Sequence, residues 1–278
     1  MYKTMENDMK TLYITDLDGT LLRCDQTLSD YTAKALNQII EKGVCFSYAT
    51  ARSASTAAKV MEKVKAPSVA VVYNGAFIVD MKSGRRLVSN AFAGEESKAI
   101  IDTALGIGIF PRVYAIVGGK ERFAYTKEHL ESEGAKEYFR TRAGDKRAFL
   151  GDVSDLYEGE IFLVSCCNKK EMLMPLYEKM KDFCHCHFYK DNYSSDCYLE
   201  LVPTDATKEK GALKLKEIFG CDRIVAFGDG VNDISLFNAA DECYAVENAA
   251  PELKEIATAI IGSNENDSVV KWLIENAE

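Results

Sequence analysis

The first regular stretch of the chain reads Thr11-Leu12-Tyr13-Ile14-Thr15-Asp16-Leu17-Asp18-Gly19-Thr20. An apolar, β-rich run leads to Thr15, and two carboxylates one residue apart follow at a Gly-Thr turn. This pattern is typical of a buried parallel strand whose carboxyl end reaches a binding site. Asp16 and Asp18 repel each other unless a cation lies between them, and Mg²⁺ prefers oxygen ligands. With a metal masking its charge, one carboxylate could attack a phosphoryl group. An ordinary surface turn has the same residues, so further motifs must decide.

The composition describes a globular protein with ample core. The 278 residues are 47% hydrophobic and 28% charged, which fits one large domain or a core with an inserted smaller one. No apolar run approaches the ~20 residues that span a bilayer, and no apolar secretory segment opens the chain. We therefore expect a cytoplasmic protein, whose nine cysteines are reduced thiols. A net charge of -9 argues against nucleic acid or an anionic membrane as partner. A small phosphorylated metabolite stays possible because local cations can bind it.

Helix and strand patterns alternate after the first motif. Ser29 is a typical N-cap of a helix that ends at Gly43, and residues 44–49 form a second apolar strand. A second helix over 53–65 and a third strand over 69–73 continue the alternation. The pattern predicts an α/β fold, in which a parallel sheet has helices on both faces and binds ligands at the carboxyl ends of its strands.

Polar residues follow the second and third strands. Thr50-Ala51-Arg52-Ser53 combines a hydroxyl, the free N–H groups of a helix start and a cation, which together favour anion binding. Alternatively, Thr50 only ends the strand and Ser53 only caps the helix. Asn74-Gly75 between two apolar runs predicts a β-hairpin.

The pattern changes between about residues 85 and 203. Strands are predicted at 85–92, 110–117, 161–166, 185–190 and 197–202, and helices near 95–105, 128–140 and 170–181. Two successive strands near the end indicate a hairpin, so we expect a separate α+β domain inserted into the first. On a strand, Cys184-His185-Cys186-His187 cannot close around one metal ion, because side chains alternate between faces. A site that recruits cysteines from neighbouring strands stays open beside buried free thiols.

Two further motifs follow the insertion. Thr207 is a typical cap of a helix that runs to Phe219, and lysines on such a helix are usually solvated. The run 224–233, IVAFGDGVND, repeats the first motif, with an apolar strand that ends in acidic residues at a glycine-rich turn. It has too few oxygen ligands for a calcium loop. Asp229 would complete an oxygen cage for one Mg²⁺ with Asp16 and Asp18, and Asp233 would support it from outside.

The four motifs resemble, in order, those of the haloacid dehalogenase-like phosphohydrolases of the Cof type. The first is Asp16–Thr20, the second contains Thr50, the third is Lys210-Gly211-Ala212-Leu213, and the fourth is 228–233. The resemblance implies a Rossmann-like core of residues 1–83 and 204–278, and a C2B-type cap at 84–203 that covers the site and selects the leaving group. That subgroup usually has Gly at the position of Ala51, and its Asn-Gly-Ala tripeptide, here from Asn74, lies beside the catalytic cleft.

The resemblance further implies a Mg²⁺-dependent phosphatase for small phosphorylated metabolites, such as a sugar phosphate or a phosphorylated cofactor. Asp16 would attack phosphorus to form an aspartyl-phosphate, while Asp18 protonates the leaving oxygen and later activates water. The predicted metal site consists of Asp16, the backbone carbonyl of Asp18, Asp229 and, behind them, Asp233. The predicted phosphate-binding residues are Thr50, Ala51, Arg52, Asn74, Lys210 and Asn232. Two alternatives stay open, a phosphomutase with the same intermediate and a catalytically silent regulator that binds a phospholigand.

Overall fold

The computed structural model describes residues 9–65, 68–191 and 194–277. The chain divides into two compact units. The core unit contains the described residues up to Ser89 and from Thr207 onward, and the inserted unit lies within Asn90–Ala206. The sequence predicts these boundaries at 83/84 and 203/204, and the role of the insert as a cap stays a prediction. Within the described ranges, no helix has the length and apolar character needed to cross a membrane.

The regular elements follow in chain order. The strands are β1 Thr11–Thr15, β2 Cys45–Tyr48, β3 Val69–Val72, β4 Phe77–Asp80, β5 Arg85–Ser89, β6 Arg112–Val117, β7 Lys120–Tyr125, β8 Ala148–Leu150, β9 Glu160–Asn168, β10 His185–Lys190, β11 Cys197–Val202, β12 Arg223–Gly228, β13 Glu242–Ala245 and β14 Ala259–Ile260. The helices are α1 Asp30–Glu41, α2 Ala54–Val60, α3 Gly94–Gly106, α4 Glu133–Thr141, α5 Lys170–Met180, α6 Lys208–Phe219, α7 Ile234–Asn238, α8 Pro251–Ile256 and α9 Ser268–Asn276.

The core unit is built on a five-stranded parallel sheet in the order β14-β13-β12-β1-β2. β1 lies between β12 and β2, and its successive residues Leu12, Tyr13 and Ile14 are all buried. Both faces of the strand are therefore covered, which explains its nearly continuous apolar sequence. Helix α6 packs against β1 and β12, and Trp272 of α9 packs on Phe227 of β12 at a ring distance of 5.1 Å. The predicted fold class is confirmed.

A small antiparallel sheet, β3-β4-β5, extends the core unit. A parallel bridge between Ala49 and Val71 joins it to the end of β2. The turn Tyr73–Gly75 connects β3 and β4, so the predicted Asn-Gly hairpin is confirmed. The strand predicted over 85–92 ends at Ser89 and pairs with β4. Assigning that strand to the insertion was wrong, because its pairing partner belongs to the core unit.

The inserted unit contains a six-stranded sheet in the order β10-β11-β9-β6-β7-β8. Its pairs are antiparallel except for β7 and β8, two strands that the sequence did not reveal. Helices α3 and α5 pack against one face through an apolar cluster that includes Ile100, Leu173 and Val164. The helix predicted over 128–140 is divided, because Ser132 ends a 3₁₀ turn at Glu128–Glu131 and caps α4.

The Cys184–His187 run lies at the start of β10. The rings of His185 and His187 stack on each other, while Cys184 is buried in the apolar cluster. Across the three described ranges, Asp16, Asp229 and Asp233 form the single group of His, Cys, Asp or Glu side chains with the spacing of metal ligands. Cys184 therefore contributes to packing.

A buried histidine links the 3₁₀ turn to the segment that precedes β6 in the inserted unit. His129 is 3% exposed, and its Nδ1 lies 2.8 Å from the carbonyl oxygen of Phe110, which requires a proton on Nδ1. Burial, with a smaller contribution from the charge of Arg112, lowers the pKa of His129 to about 3. The ring is therefore neutral in the folded protein, whereas in the unfolded chain it binds a proton below about pH 6.5.

This difference predicts an acid-sensitive contribution of His129 to stability. Because only the unfolded state binds the proton, stability is lost as the pH falls below the unfolded pKa. Between about pH 7.5 and about pH 5.5, the wild type should lose about 1.4 kcal/mol more unfolding free energy than His129→Asn. Asn retains a donor for the Phe110 carbonyl. Urea unfolding of both proteins at the two pH values measures the difference, and equal losses would contradict it.

Candidate active site

The candidate site lies at the carboxyl ends of three neighbouring strands. Thr15 on β1 is in register with Phe227 on β12, and the N–H of Asp16 donates to the Phe227 carbonyl at 2.9 Å. On the other side of β1, the N–H of Ala49 donates to the Thr15 carbonyl at 2.9 Å. The residues that follow these strands therefore meet at one edge of the sheet, as in other parallel α/β sheets.

Three carboxylates converge at this edge. One oxygen each of Asp16, Asp229 and Asp233 lies within 4.8 Å of the others. The backbone N–H groups of Asp229 and Gly230 donate to Oδ2 of Asp233 at 3.0 and 2.9 Å, which fixes the turn after β12. The hydroxyl of Thr20 donates to Oδ1 of Asp229 at 2.8 Å.

Lys208 is the cation of this cluster. Its Nζ donates to Oδ1 of Asp16 at 2.6 Å and to Oδ1 of Asp233 at 2.7 Å, and the side chain is only 1% exposed. Burial by itself lowers the pKa of Lys208. The negative charges of Asp16 and Asp233 outweigh this effect and hold the pKa above its usual value. The ammonium is therefore a fixed positive charge beside Asp16.

The structure corrects the assignment of Lys210 to this position. Lys210 is exposed, and Lys208, which the sequence motif did not indicate, is the lysine that contacts Asp16. The two residues point in directions about 200° apart on an α-helix. Lys208 shares a face with Gly211, Ala212 and Leu215, the buried residues of α6, and this i, i+3, i+4, i+7 spacing was the signal available in the sequence.

The positive charge of Lys208 does not balance the negative charge of the carboxylate cluster. Burial raises the pKa of Asp16 to about 8, although Lys208 opposes the change, and it raises the pKa of Asp229 to about 6. When all three carboxylates are ionised, Lys208 leaves two negative charges uncompensated. A hard divalent cation with oxygen ligands would balance them, so the donor set fits Mg²⁺.

Glycine is needed at the first turn. Gly19 has φ +78°, and a Cβ at this position would lie 2.3 Å from Oδ2 of Asp229. The side chain of Asn248 secures the same turn, because its Nδ2 donates to the Gly19 carbonyl at 2.8 Å. The loop after β1 can therefore approach Asp229 closely enough to complete the carboxylate cluster.

Asp18 lies outside the carboxylate cluster. Its two oxygens accept hydrogen bonds from Nε and Nη2 of Arg52 at 2.7 and 2.5 Å, and its side chain is 44% exposed. This bidentate pair joins the loop after β1 to the loop after β2. Arg52 was predicted as a phosphate ligand, and its contact with Asp18 could not be inferred from residues 34 positions apart.

The other predicted phosphate ligands lie around the ends of β2 and β3. Thr50 is buried, and its hydroxyl accepts from the N–H of Arg52 at 3.1 Å. The N–H of Asn74 donates to the Thr50 carbonyl at 2.9 Å, and Oδ1 of Asn74 lies 3.4 Å from Nδ2 of Asn232. Ala51 is exposed and has no positive φ, so alanine causes no backbone strain there. Binding of phosphate by these residues stays a prediction.

A close contact couples the hairpin turn to the lysine. Gly75 has φ +111°, and a Cβ would lie 2.3 Å from the carbonyl oxygen of Thr207. Thr207 caps α6 by accepting from the N–H of Lys210 at 3.1 Å, and Lys208 is the first residue of that helix. The turn therefore packs directly on the segment that positions Lys208.

The fold and the site together define a protein with a parallel α/β core and an acidic, lysine-containing centre. The chain matches the haloacid dehalogenase-like hydrolases over residues 13–273. It belongs to this family, and the predicted resemblance, including the Cof type, is confirmed.

Similar proteins have related names and the same fold. The 5-amino-6-(5-phospho-D-ribitylamino)uracil phosphatase YwtE of Bacillus subtilis (strain 168) is 27% identical over 285 residues, covering 95% of this chain and 97% of that protein. A crystal structure from Thermotoga maritima has a TM-score of 0.78 at 22% identity, covering 97% of this chain and 98% of the other. A sugar phosphatase of haloacid dehalogenase subclass IIB has a TM-score of 0.73 at 19% identity, covering 96% and 98%.

Lys208 and Lys210, both on α6, provide a matched comparison. Lys208→Met removes the charge beside Asp16 and should lower phosphatase kcat/KM by about 100-fold or more, because electrostatic stabilisation at a buried centre is lost. Lys210→Met should change it by less than about twofold, because that side chain lies on the opposite face of the helix. Steady-state hydrolysis of p-nitrophenyl phosphate compares both variants with the wild type. A larger loss in Lys210→Met would restore the assignment made from the sequence.

Proposed function

We propose that this protein is a Mg²⁺-dependent phosphatase that hydrolyses small phosphorylated metabolites through a phosphoryl group carried on Asp16. The observation that supports this proposal best is the geometry of Asp16, a buried carboxylate held by Lys208 at the edge of the sheet. Lys208 engages Oδ1, and among the described residues no side chain donates to Oδ2. One oxygen of Asp16 is thus available for chemistry.

The cation would be held by Asp16 and Asp229, whose oxygens lie within 4.8 Å of each other, with Asp233 behind them. Asp233 already accepts from two backbone N–H groups and from Lys208, so it suits a supporting role. When bound, Mg²⁺ would reduce the repulsion between a carboxylate nucleophile and an anionic phosphate.

The reaction then divides between the two aspartates of the first motif. An oxygen of Asp16 forms a bond to phosphorus while the ester P–O bond breaks, and Asp18 gives its proton to the leaving oxygen. In the second step, water attacks phosphorus and gives a proton to Asp18. The bond between phosphorus and Asp16 breaks, and inorganic phosphate leaves. Lys208 stays charged throughout and stabilises negative charge on the transferring group.

The pair of Asp18 and Arg52 adds a condition to this mechanism. Both oxygens of Asp18 accept hydrogen bonds from Arg52, so both are engaged in this conformation and turned away from a leaving group. We infer that Arg52 turns to the substrate phosphate, a stronger anion, and releases Asp18 for proton transfer. The predicted phosphate-binding role of Arg52 and its observed contact with Asp18 would then be two states of one side chain.

The names of similar proteins support a substrate class for this protein. One relative is named for a phosphorylated ribitylaminouracil, and a structural neighbour is called a sugar phosphatase. Both names describe small phosphate esters with a polyol or sugar chain. We propose the same class for this protein, and both kinds of compound should be tested as substrates.

The nucleophile is tested by isosteric substitution. Asp16→Asn retains the size of the side chain but removes the anionic nucleophile, so hydrolysis of p-nitrophenyl phosphate should fall on the order of 10³-fold or more. Asp18→Asn should slow hydrolysis without preventing attack by Asp16, so the intermediate should accumulate. Intact mass spectrometry after acid quench would then detect one added phosphoryl group on Asp18→Asn and none on Asp16→Asn. Asp30→Asn, at an exposed carboxylate of the same unit, serves as the control. Normal turnover by Asp16→Asn would refute the assignment.

The metal site is tested by binding as well as by activity. Mg²⁺ should raise the melting temperature of the wild type, because a ligand that binds only the folded state stabilises it. Asp229→Asn should lose most of this increase, whereas Asp30→Asn should keep it. Thermal unfolding with and without Mg²⁺ measures the effect, and EDTA should abolish hydrolysis until Mg²⁺ is restored. An equal increase in all three proteins would place the cation elsewhere.

A further inference from the structure

The turn after β1, residues 17–22, is built around a glycine, so its conformation depends on contacts from elsewhere in the chain. Gly19 is required there because a Cβ would lie 2.3 Å from Oδ2 of Asp229. Glycine, however, adopts more backbone conformations than any other residue. The residue that permits the close approach to Asp229 therefore also makes the turn easier to deform. A contact from outside the turn is needed to select the conformation that faces Asp229.

Asn248 provides this contact from the loop after β13, residues 246–250. Its Nδ2 donates to the Gly19 carbonyl at 2.8 Å, and its Oδ1 accepts from the backbone N–H of Asn264 at 3.1 Å. Only the oxygen of a side-chain amide can accept from an N–H group, so the second hydrogen bond orients the amide with its donor toward Gly19. Both ends of the Asn248 amide are therefore engaged, and its orientation is fixed.

The loop that carries Asn248 is anchored on the other acidic turn, the one after β12. The N–H of Val246 donates to the Gly228 carbonyl at 3.2 Å. The N–H of Ala250 donates to the Asp229 carbonyl at 2.8 Å. Asn248 lies between these two anchors in the chain. It therefore connects the turn after β1 to the turn that carries Asp229.

A second asparagine holds the end of the turn after β1. Asn264 is 2% exposed, and its Nδ2 donates to the Leu22 carbonyl at 2.9 Å. The N–H of Leu22 donates to the Leu17 carbonyl at 2.8 Å, which closes the turn. Because the backbone N–H of Asn264 also donates to Asn248, one residue fixes both the end of the turn and the amide that holds its centre. Two carbonyls of the turn, those of Gly19 and Leu22, are thus held by asparagine amides.

The spacing of the two acidic turns decides whether their oxygens can share one metal ion. The predicted ligands include the carbonyl of Asp18, which belongs to the peptide bond between Asp18 and Gly19. The hydroxyl of Thr20 donates to Oδ1 of Asp229 at 2.8 Å, so a shift of the turn would also move the group that orients this carboxylate. Groups that orient metal ligands without touching the metal typically change metal affinity by about 10- to 100-fold. Asn248 has the position of such a group.

We propose that Asn248 is a positioning residue of the metal site, which holds the turn after β1 and the turn after β12 at the spacing that binds Mg²⁺. Asn264 supports it by orienting its amide and by holding the Leu22 carbonyl. The proposal rests on the proposed function and deepens it, because it gives the loop after β13 a part in cation binding. Asn248 is exposed, so its truncation opens no cavity and should leave the fold intact.

Binding of Mg²⁺ to the protein without substrate tests the assignment. Isothermal titration calorimetry should show that Asn248→Ala binds Mg²⁺ about tenfold more weakly than the wild type, because the two turns are no longer held at one spacing. Asn264→Ala should weaken binding in the same direction, so it provides a second variant. An Mg²⁺ affinity of Asn248→Ala within about twofold of the wild type would overturn the proposal.

Asn37 provides a matched control in the same unit. It makes the same two kinds of hydrogen bond, because its Nδ2 donates to the Lys63 carbonyl at 2.9 Å and its Oδ1 accepts from the N–H of Lys65 at 2.7 Å. Both partners lie outside the carboxylate cluster. Asn37→Ala should therefore bind Mg²⁺ within about twofold of the wild type. If it weakens binding as much as Asn248→Ala does, the effect is general destabilisation and the proposal is wrong.

The Mg²⁺ dependence of hydrolysis separates positioning of the metal ligands from damage to the reaction itself. In Asn248→Ala, the Mg²⁺ concentration for half-maximal hydrolysis of p-nitrophenyl phosphate should rise about tenfold. Saturating Mg²⁺ should restore kcat to within about threefold of the wild type, because the cation then reoccupies its site. A loss of kcat that saturating Mg²⁺ does not restore, at unchanged Mg²⁺ affinity, would contradict the proposal.

The two measurements also distinguish this proposal from the proposed function. If the wild type binds Mg²⁺ without hydrolysing p-nitrophenyl phosphate, and Asn248→Ala binds Mg²⁺ more weakly, the phosphatase assignment fails and the role of Asn248 stands. If the wild type hydrolyses p-nitrophenyl phosphate and Asn248→Ala binds Mg²⁺ equally well, the phosphatase assignment stands and the role of Asn248 is refuted. A wild type that binds no Mg²⁺ would refute the role of Asn248 together with the metal site.

Discussion

The buried ion pair between Lys208 and Asp16 forms only if distant segments of the core unit meet at one edge of its sheet. An ammonium that is 1% exposed is stable only where carboxylates surround it, and Asp16 and Asp233 provide them at 2.6 and 2.7 Å. Each carboxylate is itself buried and needs this cation. Because Asp16 follows β1, Asp233 follows β12 and Lys208 begins α6, the pairing ties together three segments that are distant in sequence. The same charges that fix the fold at this edge therefore also surround Asp16, the proposed nucleophile.

Backbone geometry allows these charged groups to come close. Parallel pairing of β1 with β12 brings the two acidic turns together, and Gly19 lets the first turn contact Asp229. Gly75 allows a similar close approach between the turn that joins β3 and β4 and Thr207 at the start of α6. In both places a Cβ would lie 2.3 Å from an oxygen, so a side chain cannot be accommodated without displacing the site. Close backbone approach, rather than long side chains, sets the spacing of the cluster.

The sequence predicted what depends on local pattern and missed what depends on packing. Strand-ending aspartates and glycine turns are visible in a linear motif, so Asp16, Asp229 and Asp233 could be placed on one edge of the sheet. Lys208 was missed because the motif drew attention to Lys210, although the burial periodicity of α6 favoured Lys208. The pair of Asp18 and Arg52 arises from the relative position of two loops, which no spacing encodes. β7 and β8 were missed because Lys120–Tyr125 is charged at its start and Ala148–Leu150 is very short.

The charges of the core unit indicate what the carboxylate cluster can bind. Three carboxylates share one ammonium, so the cluster suits a further cation. An uncompensated buried charge costs several kcal/mol per ion, on the order of the stability of a whole domain. A divalent cation bound at the cluster would therefore stabilise the folded core unit as well as serve the proposed reaction.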